Sequence, residues 1–453
     1  MSLPRYENYK DSGIEWIGEI PKGWEVKKLQ YVAFVNPVKD SEIDSESLEQ
    51  VTFLPMEKVS EKGEIDCGIK RPIKDLWKGF TFFRKNDVLI AKITPCFENG
   101  KGALLNKLET EIGFGSTEFH VLRAKPDTLP EFLFYTTKSE IFMRVGEAFM
   151  SGAAGQKRVP TDFISEFPLL SLPLPEQAAI ASFLNRKTAE LDQLIFNKEK
   201  LIALYEEEKT AIINRAVTKG LDPRVKLKPS GVEWLGDIPE HWRVKRLKSL
   251  ICRLESGVSV NATDYPASGE EFGILKTSCV YNYNFNPNEN KAIWPAELER
   301  AKVSPQKYSI IISRMNTPDL VGASGYVEKD YPTLFLPDRL WQTVFCQDVD
   351  IEVKWLSYVL KSGRFRELLS VTATGTSPSM KNLGQEEFLN ITIPFMDIAE
   401  QTAIVAHIET ECSRLDTIIE KFKKQIDLFK EYRITLISDV VTGKIDVRGE
   451  VAA

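Results

Sequence analysis

The residues SGIEWIGEIPKGWEVKKLQ (12–30) return as SGVEWLGDIPEHWRVKRLK (230–248), identical at 11 of 19 positions. Ser12, Gly13, Glu15, Trp16, Gly18, Ile20, Pro21 and Trp24 recur as Ser230, Gly231, Glu233, Trp234, Gly236, Ile238, Pro239 and Trp242. An internal match of this kind restricts the chain to architectures built from two like halves. The duplication extends further. Glu176-Gln177 and Leu191-Asp192 align with Glu400-Gln401 and Leu415-Asp416, and VTKGLDPR (217–224) aligns with VTGKIDVR (441–448). After VTKGLDPR the chain runs on into the second tryptophan segment. After VTGKIDVR the segment that the repeat requires next stands at the N-terminus. The repeat is therefore circular, and the two termini are expected to lie close together.

Residues 176–219 contain no Gly or Pro; Pro173 and Pro175 precede them and Gly220 follows, the punctuation of a helix. Every seventh residue forms one row: Leu184, Leu191, Lys198, Tyr205 and Ile212 in the first copy, Ile408, Leu415, Phe422, Phe429 and Leu436 in the second. Only Lys198 is polar, so the rows read as the seam of a coiled coil. Leu194, Ile195, Leu201, Ile202, Ile418, Ile419 and Ile426 widen the stripe beyond one partner. Each helix of about 44 residues would span roughly 65 Å at about 1.5 Å per residue. A two-fold relation within a closed repeat makes the helices antiparallel, each covering the other's seam.

Residues 31–175 and 249–395 differ in kind. VTFLPM, DVLIAKI and FHVLRA in the first block, and YSIIIS, TLFLP and WQTVF in the second, read as short strands separated by turn residues. Residues 129–149 and 353–371 read as short helices. The fold class is thus α+β: two globular domains joined by two long antiparallel helices in an internal pseudo-two-fold circular repeat. The expected order is a repeat segment closing the ring (1–30), a domain (31–175), a long helix (176–226), a central repeat segment (227–248), a second domain (249–395), and a second long helix with its tail (396–453). The frame has stayed alike while the two mounted domains have diverged.

Composition narrows the function. Hydrophobic residues at 43% and charged residues at 27% fit an ordinary globular protein. No apolar run reaches the roughly 20 residues of a membrane helix, and the N-terminal residues lack an apolar signal region; a cytoplasmic protein with no membrane partner is expected. The six cysteines are scattered with no CxxC pair, so free thiols are expected rather than disulfides or zinc ligands. The net charge of −6 argues against a uniformly phosphate-coating surface but leaves room for local basic patches. No [ND]PP[FY]-like tetrapeptide of an amine methyltransferase is present, only NPV and NPN; no phosphate-binding loop occurs, and the three histidines stand far apart. Pro318-Asp319 and Glu328-Lys329 lack the spacing of a nuclease metal site. No catalytic constellation emerges.

The paired W-[IL]-G-[ED]-I-P segments, the two Glu-Gln openers, SGAAGQKRVPTDFISEFPLLSLPLPEQ (151–177) and NDVLIAKITPCFENGKGAL (86–104) together resemble the DNA-specificity subunits of type I restriction–modification systems. The resemblance runs over nearly the whole chain. It departs in the second block, where TATGTSPSMKNLGQEEFLNITIPFMDIAEQ (372–401) lacks the LPLPEQ spelling and SRMNTPDLVGASG replaces FENGKGA. The resemblance implies a non-catalytic reader of double-stranded DNA, with two target recognition domains (31–175 and 249–395) that each read one half of a split site. It implies that the helices dock two methylation subunits, and that restriction/motor subunits join them. It also implies that S-adenosylmethionine, ATP and Mg belong to those partner subunits, leaving no cofactor in this chain.

Candidate DNA contacts are Lys92, Asn99 and Lys101 around one glycine-rich turn and Gln156, Lys157 and Arg158 after another. In the second domain they are Arg314, Asn316, Arg339 and Gln342, with Lys381 and Asn382 after a Gly/Thr/Ser turn. Lys and Arg suit phosphate or guanine; Asn and Gln suit adenine. The four repeated tryptophans are read as clasps of the frame rather than base-stacking platforms, because they recur while the domains differ. Glu206-Glu207-Glu208 reads as a solvated helix face. The competing reading is a non-enzymatic coiled-coil adaptor that binds proteins, which the acidic charge favours.

Overall fold

A computed structural model describes residues 4–153, 155–377 and 380–451; the quoted stretches 151–177 and 372–401 therefore include three positions (Ala154, Pro378 and Ser379) outside the described residues. The chain divides into two compact units, one of residues 1–199 with 423–453, the other of residues 200–422. Both long helices pass through this division. The first spans Leu174–Lys219 and the second Ile398–Val441.

In the first unit, one sheet has the order Ala33–Val35, Phe119–Ala124, Val88–Ala91, Gly102–Leu104, all antiparallel. A second has the order Lys70–Pro72, Gln50–Leu54, Ile112–Gly115, Thr81–Arg84, with a parallel pairing between Gln50–Leu54 and Ile112–Gly115. In the second unit the same plan returns. Ile251–Ser256, Leu340–Phe345, Ile310–Ser313 and Ser324–Tyr326 form an antiparallel sheet in that order. Asn290–Ala292, Gly273–Leu275 and Leu334–Phe335 form the second, again with its one parallel pairing, Gly273–Leu275 to Leu334–Phe335.

Each expected short helix is two. Residues 129–149 divide into Pro130–Thr137 and Glu140–Phe149, because Ser139 caps the latter with its hydroxyl accepting from the Phe142 N–H. Residues 353–371 divide into Val353–Lys361 and Gly363–Thr372. In the first unit Ser438 accepts the Glu140 N–H at 2.6 Å; in the second, Asn214 accepts the Gly363 N–H at 2.8 Å. Ser438 and Asn214 are matching positions of the two long helices, so each head is capped from the frame in the same way.

Within each unit the long-helix segments run antiparallel. Arg433 binds Asp192 at 2.8 Å and Lys198 binds Gln425 at 2.6 Å in the first; Lys209 binds Asp416 at 2.5 Å and the Tyr205 and Phe422 rings lie 6.0 Å apart in the second. The seam is wider than one row. Leu184 and Leu436 are buried in the core of the first head and Ile408 in that of the second, so these positions anchor helix ends to domains. Leu191 and Leu415 are buried, whereas Tyr205, Ile212, Phe422 and Phe429 are half-buried. Ile195, Ile419 and Ile426 are buried too, while Leu194 and Leu201 are exposed. The reason is geometric: two packed helices bury two rows at alternating spacings of three and four residues.

The helix openers explain their spelling. Gln177 is buried; its oxygen accepts the Leu129 N–H, and its amide donates to the carbonyls of Asp127 and Leu172. Gln401 accepts the Glu352 N–H and donates to the Met396 carbonyl. Trp24 and Trp242 are buried, at 1% and 0% exposure, in the cores of their units, and Trp242 Nε1 donates to Glu400 at 3.0 Å. Trp16 is 41% exposed and Trp234 half-buried, with Trp234 Nε1 donating to the Thr392 carbonyl. Gly220 and Gly443 end the two helices at φ +72° and +73°; a side chain at Gly443 would strike Pro21 and Trp24. In the first unit the chain's two ends meet: the Asp446 N–H donates to the Pro4 carbonyl at 2.8 Å, and the Tyr9 hydroxyl to the Gly443 carbonyl at 3.0 Å.

One expectation about the cysteines fails. Cys252 and Cys346 form a disulfide, with Cα atoms 5.1 Å apart. Cys252 lies in the strand Ile251–Ser256 and Cys346 directly follows its partner strand Leu340–Phe345, a proximity that sequence spacing hides. Cys67, Cys96, Cys279 and Cys412 are free. Among the described residues no helix is long and apolar enough to cross a membrane, and no cluster of His, Cys, Asp and Glu could hold a metal ion.

Candidate nucleic-acid interface

In each head the segment leaving the domain crosses the end of a central strand. In the first, Val88–Ala91 runs into Lys92, whose N–H donates to the Glu118 carbonyl (2.9 Å) and whose carbonyl accepts the Val159 N–H (2.7 Å). In the second, Ile310–Ser313 runs into Arg314, whose N–H donates to the Arg339 carbonyl (3.0 Å) and whose carbonyl accepts the Leu383 N–H (2.8 Å). Lys92 and Arg314 are therefore equivalent, as are Glu118 and Arg339. The crossing segments match as well. Arg158 bridges both Ile93 and Ser151, and Asn382 pairs with both Met315 and Thr374. That makes Arg158 the counterpart of Asn382, and Lys157 that of Lys381. These residues stand in stretches unlike in sequence in the two heads, and the backbone brings them to one place in both.

The local electrostatics differ. In the first head Gln156, Lys157 and Arg158 are exposed and Lys92 is half-buried. Burial, with a smaller contribution from Arg158, holds the Lys92 ammonium below its ordinary pKa. Glu118 binds Arg158 through both carboxylate oxygens at 2.9 Å, which lowers the Glu118 pKa and raises that of Arg158. Beneath them His120 is buried. Its Nε2 donates to the Val159 carbonyl at 2.9 Å, and its Nδ1 accepts from Asn36 at 3.1 Å, so the neutral ring ties the crossing segment to the sheet. Burial lowers the His120 pKa accordingly. In the second head Trp341 replaces His120, and the Arg314 guanidinium lies 5.7 Å from its ring centroid. Arg339 is exposed, and Lys381 and Asn382 are half-buried. Arg314 Nε, Trp341 Nε1 and Asn382 Oδ1 are buried atoms with no hydrogen-bond partner among the described residues.

Four candidates sit elsewhere. Gln342, 1% exposed, accepts the Gln306 N–H and the Ser309 hydroxyl. Asn316, 7% exposed, donates to Tyr281 and Ser313 and accepts the Thr317 N–H. Both amides serve the interior of the sheet, not an accessible face. Lys101 donates to the Met56 carbonyl at 3.3 Å. Asn99 is exposed in the turn after Pro95 and lines a cleft of about 650 Å³ with Lys138, Asp192 and Arg433. The Lys138 ammonium fixes that turn by donating to the carbonyls of Gly100, Gly102 and Glu61. Glu118 carries no mark in the sequence: a carboxylate by itself does not point to nucleic acid, and nothing in the sequence pairs it with Arg158.

Residues 21–202 match the family model described as the type I restriction modification DNA specificity domain. The chain is 27% identical to the EcoEI specificity subunit of Escherichia coli over 86% of this chain and 78% of that protein. It is 41% identical to the EcoAI specificity subunit of the same organism over 39% of this chain and 30% of that one. The chain is thus similar to type I restriction–modification specificity subunits over most of its length. A solved chain, from work on complex assembly and conformational transition of the type I R-M system, shares the fold of this chain. The TM-score is 0.73 at 17% identity, over 94% of this chain and 99% of that one. Specificity subunits are non-catalytic; the chemistry lies in their partner subunits.

Proposed function

We propose that this specificity subunit reads a split, asymmetric double-stranded DNA site, one half with each head. Lys92, Lys157 and Arg158 with Gln156 meet DNA from the first head, and Arg314, Arg339, Lys381 and Asn382 from the second. The observation that carries this reading is the equivalence of Lys92 with Arg314 and of Lys157-Arg158 with Lys381-Asn382: one backbone plan presents cations at the same sheet end twice, with different side chains around them. Cations there would bind phosphate, and the differing neighbours would read different base edges. Asn99 and Lys101 belong to a neighbouring turn and would contribute at its border.

The two like ends of the frame seat two methylation subunits on the long helices, and restriction/motor subunits join that assembly. Exposed apolar side chains on the helices support such docking: Leu194, Phe196, Leu201 and Leu204 on the first, Leu428, Tyr432 and Ile434 on the second. S-adenosylmethionine, ATP and Mg serve those partner subunits, and this chain takes no cofactor.

The test is modification mapping of host DNA with and without this gene. Loss of methylation at one two-part motif is expected. An unchanged modification pattern would refute the reading.

A further inference from the structure

We propose that Arg158, held by Glu118, reads a guanine in the half-site met by the first head, with Glu118 as the residue that positions it. This rests on the proposed function and deepens it.

Glu118 grips one edge of the guanidinium: Oε2 accepts from Nε and Oε1 from Nη2, each at 2.9 Å. The outer edge, made by Nη1 and the second Nη2 hydrogen, meets no acceptor among the described residues. Guanine presents O6 and N7 side by side in the major groove, and two parallel N–H donors on a planar fork match them. The backbone is fixed as well. Arg158 exchanges hydrogen bonds with Ser151 at 2.8 and 3.1 Å and bridges Ile93. Little remains to be ordered on binding, which favours a specific contact. Glu118 is itself anchored: its N–H donates to the Ser116 hydroxyl at 3.2 Å, and its carbonyl holds the Lys92 N–H. Glu118 thus holds the Arg158 guanidinium through its side chain and the Lys92 backbone through its carbonyl. In the second head Arg339 stands where Glu118 does and Asn382 where Arg158 does, so this clamp is confined to one half-site.

The test selects from randomised DNA duplexes with the full chain assembled with its partner subunits. The wild type should yield a two-part motif with a guanine at one position of one half. Arg158→Lys keeps the charge and loses the fork; it should weaken binding to the guanine-bearing duplex and reduce the guanine preference at that one position roughly 10- to 100-fold, with the preferences at the other positions of the motif kept. Glu118→Gln should weaken the same position while raising affinity for non-cognate duplexes, because it removes a negative charge beside the phosphates. The Arg158 guanidinium is exposed and the Glu118 carboxylate half-buried, so solvent screens the pair and it contributes little to folding; thermal melting of both variants checks that the fold is kept. Full retention of the preference in both variants would overturn the assignment. So would an even loss across the whole half, which marks a structural role. A wild type that selects no two-part motif would overturn the proposed function, and this inference with it.

Discussion

The two heads share a sheet plan, short of one strand in the second head's smaller sheet, and little sequence, whereas the long helices and tryptophan segments share both plan and sequence. The difference lies in what each must do. A sheet order holds whenever paired strands bury apolar side chains, and many side chains satisfy that. The frame depends on groups with few alternatives: a glutamine amide saturating buried backbone groups, an indole filling a core, a glycine at positive φ. Identity persists where one geometry has one chemical solution, and the heads were free to change the side chains they present.

The largest test of that contrast is Trp24→Ala against Trp242→Ala. Each should cost roughly 3–5 kcal/mol in denaturant unfolding of the full chain. The second should be worse by about 1 kcal/mol, because Trp242 also donates to Glu400. A negligible cost in either would break the equivalence of the two frame halves. Next come Gln177→Ala and Gln401→Ala, each leaving buried backbone groups unpaired at a cost of about 1–3 kcal/mol; melting of the two variants should fall alike.

The smallest effect distinguishes the heads. His120 has its pKa lowered by burial below the ordinary value near 6.5, so the unfolded chain binds a proton that the folded one refuses. Stability of the first head should therefore fall as pH drops below about 6.5. Melting temperature followed against pH should show this in the wild type, and His120→Gln should flatten it. The second head carries Trp341 at that place and has no such group.

Much of this was legible in the sequence because the strands are short apolar runs bounded by turn residues and the long helices are unbroken by Gly or Pro. FHVLRA is a strand over the residues expected, Phe119–Ala124, and the long helices begin two residues before their Glu-Gln openers. Gln342 misled because Leu340, Trp341, Gln342 and Thr343 are all buried, so alternation did not mark an exposed face. The Cys252–Cys346 pair and the Glu118–Arg158 clamp depend on strand register between distant segments, which no local pattern carries.

The most direct measurement compares two triple variants, Lys92→Ala/Lys157→Ala/Arg158→Ala and Arg314→Ala/Arg339→Ala/Lys381→Ala, in duplex selection with the assembled complex. Each should erase one half of the motif and leave the other intact, a different half in each case. Loss of the same half in both variants, or an intact motif in both, would contradict two independent readers on a shared frame.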